Sequence, residues 1–243
     1  IMPSLVGSEM CIRDRPCGAQ PHYDLNHIGP MRSPLVFQWP EEAAKVQVAL
    51  RQGNTVVLCI PQASGGNRPT ARASVRQALQ TALGGWLDCP PASVVLQSAP
   101  GSPVQLQSPP APGLKPGLSI SHEHGLSLAA IAPQGPVGVD LLATSALPNA
   151  DECLRLAQDY LGPQASQSLA ALPVAQRASA FARAWTAWEA RLKCVGTGLD
   201  EWDRQSAPTP CDCCHVELKL PMGFAGSLAW TPAPSPGERH CIE

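Results

Sequence analysis

No stretch of this chain approaches eighteen consecutive apolar residues, so no membrane-spanning helix is expected. Neither sign of charge dominates. With 17 Lys and Arg against 19 Asp and Glu the net charge is −2, which gives no bulk attraction for nucleic acid or an anionic membrane. The first residues lack a basic region followed by an apolar run, so no secretory leader is expected. The 10 cysteines do not frame a small disulfide scaffold; they are scattered through a mid-sized chain. Cys59, Cys89, Cys153 and Cys194 lie in or beside apolar segments, where a buried free thiol is ordinary. The expectation is a reduced, cytoplasmic protein.

What is present suffices for a core: 44% of the 243 residues are hydrophobic, enough for one large domain or two small ones sharing an interface. The 27 prolines cluster. Residues 109–117 read as a linker and residues 232–237 as the start of a loose tail. Residues 1–20 show no periodicity, and residues 8–15 resemble a peptide translated from sequencing-adapter contamination, so they are set aside as unstructured or artefactual. The resulting division is an N-terminal lobe over 21–117, a C-terminal lobe over 118–231 and a flexible tail over 232–243.

A pattern occurs twice between these limits. An apolar run, Val56 to Ile60, predicts a strand; a helix follows from about Thr70 to Leu83 with Val75, Leu79 and Leu83 on one face. Short strands are predicted at Val94–Leu96 and Val104–Leu106. The second copy opens with a strand at Leu126–Ile131 and continues with one at Val137–Leu142. Helices at about Asp151–Leu161 and Ala175–Val195 come next, and a hairpin of His215–Leu220 with Ser227–Trp230 closes it. The fold class expected is α+β, two similar lobes with a ligand cleft at their junction.

Three segments carry candidate chemistry. Asp140 stands in an apolar run, where an unpartnered carboxylate would cost several kcal/mol. It needs a partner such as a divalent cation, unless it only ends the strand and turns or caps the chain there. Phe181, Trp185, Glu189 and Lys193 recur every four residues and share one helix face. Glu189 there offers a hard oxygen ligand and Lys193 a positive charge for phosphate oxygens; an ordinary Glu–Lys surface pair is the alternative. Ser119 and Ser121 fall on one side of a strand ending at His122, where a hydroxyl and an imidazole can hold a pyrophosphate. Cys211-Asp212-Cys213-Cys214-His215 has its ligands too adjacent for one tetrahedral zinc site.

Together these segments resemble the 4′-phosphopantetheinyl transferases of the surfactin-synthetase-activating type. That family shows Ser-His, then Gly-(Val/Ile)-Asp, then Trp-(Ser/Thr)-x-x-Glu-Ala-x-x-Lys. Here these read Ser121-His122, Gly138-Val139-Asp140 and Trp185-Thr186-x-x-Glu189-Ala190-x-x-Lys193, in the same order, within about residues 118–198. The resemblance implies a pseudo-twofold pair of α+β lobes with coenzyme A in the cleft between them. It implies Mg2+ on Asp140 and Glu189, phosphate contacts from Lys193 and His122 with Ser121 beside them, and Arg72 near the nucleotide's 3′-phosphate. Ser102 stands where the family's Gly-Lys-Pro turn has its lysine. Leu142 stands where many members carry a third acid, and Glu123, directly after Ser-His, is expected to restore part of the metal shell.

The reaction implied is transfer of phosphopantetheine from coenzyme A to a serine of an apo acyl or peptidyl carrier protein, releasing 3′,5′-ADP. Asp140, Glu189 and Lys193 would be the catalytic set. A monomer is expected, because one chain contains both lobes. Arg177, Arg183 and Arg191 are available to meet an acidic carrier helix. The alternative is a non-catalytic homologue that binds coenzyme A or a carrier protein.

Overall fold

A computed structural model of the protein describes residues 35–62, 68–98, 102–107, 115–203 and 213–231. The chain begins with β1 (Leu35–Gln38), α1 (Ala43–Arg51), β2 (Val56–Pro61) and α2 (Arg68–Trp86). Two short strands, β3 (Leu96–Gln97) and β4 (Gln105–Leu106), form a separate ribbon. Next come β5 (Gly117–Glu123), β6 (Leu126–Ala132), β7 (Val137–Ala143), α3 (Ala150–Leu156), α4 (Pro163–Ala170), α5 (Val174–Val195), β8 (Cys214–Glu217) and β9 (Phe224–Trp230). One sheet runs β1-β2-β6-β5 and another β7-β9-β8, giving a mixed α+β architecture.

Strand alternation stacks these elements into layers. Along β2, Val56, Leu58 and Ile60 pack with Val46 and Leu50 of α1 and Val75, Leu79 and Leu83 of α2. The intervening Val57 and Cys59 turn the other way and meet Val139 and Leu141 of β7 and Leu228 of β9. β6 repeats the pattern, with Ala129 and Ile131 toward the helices and Leu126, Leu128 and Ala130 toward the second sheet. All seven residues of β6 and all seven of β7 are buried, because both faces of each strand are covered. The outer face of the second sheet is closed by α5. Phe181 and Trp185 there pack with Leu142, Cys153 and Leu169, and Tyr160 meets Trp185 edge-on at 5.7 Å.

The helix over 174–195 is the element whose sequence pattern translates most directly. Phe181, Ala182, Trp185, Thr186, Glu189 and Ala190 are buried, a stripe of period near 3.6. It stops at Gly196, whose φ of 73° is the left-handed conformation a helix end requires, and the Thr197 N–H closes the turn onto the Leu192 carbonyl.

Other segments differ from expectation. The helix expected over 151–161 is regular only to Leu156 and then widens over Ala157–Leu161, and Gly162 at φ 89° separates it from the proline-initiated α4. β1, α1 and α4 had no sequence prediction. β5 runs one residue past His122 to Glu123 before a turn at Gly125. β6, expected to open the second copy, pairs antiparallel with β2, the opening of the first. Among the described helices none is long and apolar enough to cross a membrane.

Candidate functional site

The site is built where α5 crosses β7. That crossing is close because residue 138 has no side chain: a Cβ on Gly138 would collide with the Ala190 carbonyl oxygen and stand 2.5 Å from the Cys194 nitrogen. The helix face bearing Thr186, Glu189 and Lys193 is thereby pressed onto the strand face that carries Asp140, two residues beyond Gly138.

Asp140 is buried, and its Oδ1 accepts two hydrogen bonds, from Lys193 Nζ at 2.7 Å and from Ser121 Oγ at 3.0 Å. Lys193 Nζ also donates to the Val139 carbonyl at 3.3 Å and to Ser121 Oγ at 3.4 Å. Both side chains of the ion pair are about nine-tenths buried, so each charge depends on the other for compensation. Glu189 lies one helical turn before Lys193. It also follows Thr186 by three residues, and Thr186 Oγ1 meets Ser227 Oγ at 3.1 Å. Ser227 is the direct cross-strand neighbour of Asp140. Glu189 is therefore held, buried, at the same crossing.

β5 reaches the crossing from the first sheet. It does not run a backbone ladder with β7; side chains do the joining. The Val139 N–H donates to Ser119 Oγ at 3.0 Å and the Leu141 N–H to Ser121 Oγ at 3.2 Å. Alternation then divides the end of β5 between two environments. Ser121 and Glu123 turn toward Asp140, whereas His122 turns toward the start of α2 and receives Ser127 Oγ against its Nδ1 at 2.9 Å.

The ionisable groups register this division. Burial lowers the His122 pKa to about 4, assisted by the positive charges of Arg72, Lys193 and Arg68, so the imidazole is neutral near pH 7. Burial raises Glu123 to about 6. The Asp140 charge adds to that rise, while Arg68, Lys193 and a backbone N–H at His124 oppose it. Arg68 and the Lys193 ammonium are thus close enough to act on both His122 and Glu123, while Arg72 bears on His122 and the Asp140 carboxylate on Glu123.

Of the residues singled out from sequence, Asp140, Lys193 and Ser121 are in mutual contact, with Glu189 at the same crossing. His122 and Glu123 adjoin them, and Arg72 lies exposed on α2 close enough to influence His122. Ser102 lies exposed ahead of β4, in the ribbon separate from both larger sheets. Among the described residues no three His, Cys, Asp or Glu side chains form a cluster able to hold a metal; Asp140, Glu189 and Glu123 make no closed cage. Cys213 places its thiol 3.6 Å from that of Cys194, and residues 211 and 212 fall outside the described residues. Two of the candidate docking arginines are engaged internally: Arg177 donates to the Leu172 and Ala170 carbonyls, and Arg191 meets His215 at 2.8 Å.

Sequence reasoning missed Arg68, Ser127 and Ser227, and it named Thr186 only within the tryptophan motif, without its contact to Ser227. Arg68 had a signal, since it precedes Arg72 by one turn on the same helix face. Ser127 and Ser227 had none, because a serine in an apolar strand reveals its partner only once the register is known.

Comparison with known proteins bears on this crossing. Residues 136–218, from the start of β7 to the end of β8, match the family described as ACPS, the 4′-phosphopantetheinyl transferase superfamily. Over 135 residues the chain is 30% identical to a protein of Synechocystis sp. named "Putative 4'-phosphopantetheinyl transferase slr0495". That alignment covers 56% of this chain and 53% of the relative, so the chain spans about half the length of the curated protein it matches.

Proposed function

We propose that the protein is a 4′-phosphopantetheinyl transferase of the surfactin-synthetase-activating type, which moves the phosphopantetheine arm of coenzyme A onto a serine of an acyl or peptidyl carrier protein. The observation that carries this reading is the Asp140–Lys193 contact, braced by Ser121. It unites at one crossing three segments that are 53 and 19 residues apart in the chain. The family match over residues 136–218 and the similarity to the Synechocystis protein support it. The two back-to-back sheets, each covered by helices on its outer face, are read as the pair of lobes, with coenzyme A in the cleft at the ends of β5 and β7.

Hard carboxylate oxygens on Asp140, Glu189 and Glu123 are the donor type that magnesium takes. It binds through one or two carboxylates and keeps water and substrate phosphates for the rest, so the lack of a closed protein cage is compatible with it. When bound, the ion would neutralise charge on the pyrophosphate. The residues do the remainder. Lys193, whose ammonium stands 2.7 Å from Asp140 Oδ1, is placed to offset negative charge on the departing phosphate. Neutral His122, with Nδ1 against Ser127 Oγ, can donate a hydrogen bond from Nε2 to a phosphate oxygen without adding charge, and Arg68 and Arg72 supply positive charge on the α2 side. Glu189 accepts the carrier serine's proton, directly or through water, as that oxygen bonds to the β-phosphorus and the bridging P–O bond breaks to release 3′,5′-ADP.

The test is to incubate the chain with coenzyme A, Mg2+ and an apo carrier protein and weigh the carrier by mass spectrometry. Gain of one phosphopantetheine is the expected result. Coenzyme A binding with no gain would instead indicate a non-catalytic relative, the reading that Leu142 and Ser102 would favour.

A further inference from the structure

The hydroxyl of Ser121 has no capacity left for a substrate. A serine hydroxyl carries one proton to donate and two lone pairs with which to accept. In Ser121 the proton goes to Asp140 Oδ1 at 3.0 Å, and the oxygen accepts from the Leu141 N–H at 3.2 Å and, at greater length, from Lys193 Nζ at 3.4 Å. The side chain is buried, so water does not compete for it. Resting on the function proposed above, we infer that Ser121 is a positioning residue and not a phosphate ligand. It fixes the rotation of the Asp140 carboxylate and holds the Lys193 ammonium against it, so that the pair is preset before substrate arrives.

Ser119 makes this separable from a role in joining the sheets. It lies two residues earlier on the same side of β5 and accepts the Val139 N–H at 3.0 Å, the same stitch that Ser121 makes to Leu141. Loss of Ser119 removes a stitch from the β5–β7 seam. Loss of Ser121 removes a stitch and the clamp together. The difference between the two variants isolates the clamp.

The experiment compares full-length wild type, Ser119→Ala, Ser121→Ala and Ser121→Thr. Coenzyme A affinity is measured by calorimetry in EDTA, kcat and KM by carrier modification in Mg2+. For Ser121→Ala the expectation is a coenzyme A Kd within about twofold of wild type and a kcat at least about tenfold lower, the mark of an interaction used in the reaction and not in ground-state binding. Ser119→Ala should keep kcat within about threefold of wild type, and Ser121→Thr, which restores the hydroxyl, should recover most of the rate. A Kd weakened about tenfold or more with kcat unchanged would show a phosphate ligand and overturn the inference. Equal kcat losses in Ser119→Ala and Ser121→Ala would overturn it too, by reducing Ser121 to a stitch.

Should the wild-type chain transfer nothing, the proposed function fails while the clamp is still read by competitive amine labelling. Lys193 then reacts faster in Ser121→Ala than in Ser119→Ala if the clamp holds it, and equal labelling overturns the inference.

Discussion

Two helices lie on opposite outer faces of the molecule and are used in different ways. α2 covers the first sheet with Val75, Ala78, Leu79, Ala82 and Leu83, an apolar stripe with no polar side chain in the buried set. α5 covers the second sheet with Phe181, Ala182, Trp185 and Ala190, but interleaves buried Thr186 and Glu189 and then Lys193. Among the described residues the buried polar side chains are Ser119, Ser121, Ser127, Asp140, Thr186, Glu189 and Ser227, and none is on α1 or α2. Each such group costs free energy unless its hydrogen bonds are made, so a fold selected for stability alone would have two helices like α2. The polar groups gather in the seam beneath α5, whereas the buried stripe of α2 is an apolar scaffold that meets polar side chains only where its start faces His122 and Ser127.

The contrast breaks first at Asp140. Asp140→Ala leaves the Lys193 ammonium without its counter-charge in a mostly buried position. The expectation is a loss of about 2–3 kcal/mol in urea denaturation, moderated by the lysine's reach to solvent, together with loss of carrier modification by about a hundredfold or more. Retained transfer would erase the distinction between seam and scaffold. Gly138→Ala tests the seam's geometry without touching its charges. The new methyl would collide with backbone of α5, so the helix must lift, at an expected cost of about 3 kcal/mol and with transfer impaired by misplacement of Glu189 and Lys193. Leu83→Ala is the scaffold counterpart. Leu83 is fully buried under α2, and its truncation should cost a similar 2–4 kcal/mol (roughly) while the folded fraction keeps its specific activity. Thermal melts paired with rates per folded molecule distinguish the three.

α5 is legible in the sequence because its period, its Gly196 stop and its Trp-x-x-x-Glu-x-x-x-Lys spacing all agree at short range. Asp140 is legible as a carboxylate in an apolar strand, a local conflict that signals a partner. The identity of that partner is harder to read. The spacing along α5 assigns Lys193 to phosphate, whereas its 2.7 Å contact with Asp140 depends on a crossing set by Gly138, a glycine that the Gly-Val-Asp motif marks without revealing the helix that presses on it. The same holds for the sheets. By its position after a proline-rich stretch β6 reads as part of a new unit, yet its pairing with β2 spans about seventy residues and is fixed by which faces need covering, a non-local condition. α4 escapes detection because its residues are small and polar, with Leu169 as the buried anchor, leaving little apolar pattern.

The smallest expected effect concerns the boundary between the two regions, where His122 faces α2. Its folded pKa near 4 lies below the ordinary 6.5, chiefly through burial, so the unfolded chain takes up a proton that the folded chain refuses. The stability this represents is complete above pH 6.5 and is lost as pH falls from there through about 4. Glu123 runs the other way: with a folded value near 6 against 4.5, its contribution is complete below 4.5 and is lost as pH rises through 6. In wild type the two partly cancel on acidification. His122→Gln removes one and leaves the other, so the variant's melting temperature should gain on wild type as pH is lowered from about 7 to about 4.5. A series of melts at fixed ionic strength measures that difference. A difference that stays flat with pH would mean the imidazole is solvated, and the basic α2 side would then be open surface and not a wall of the site.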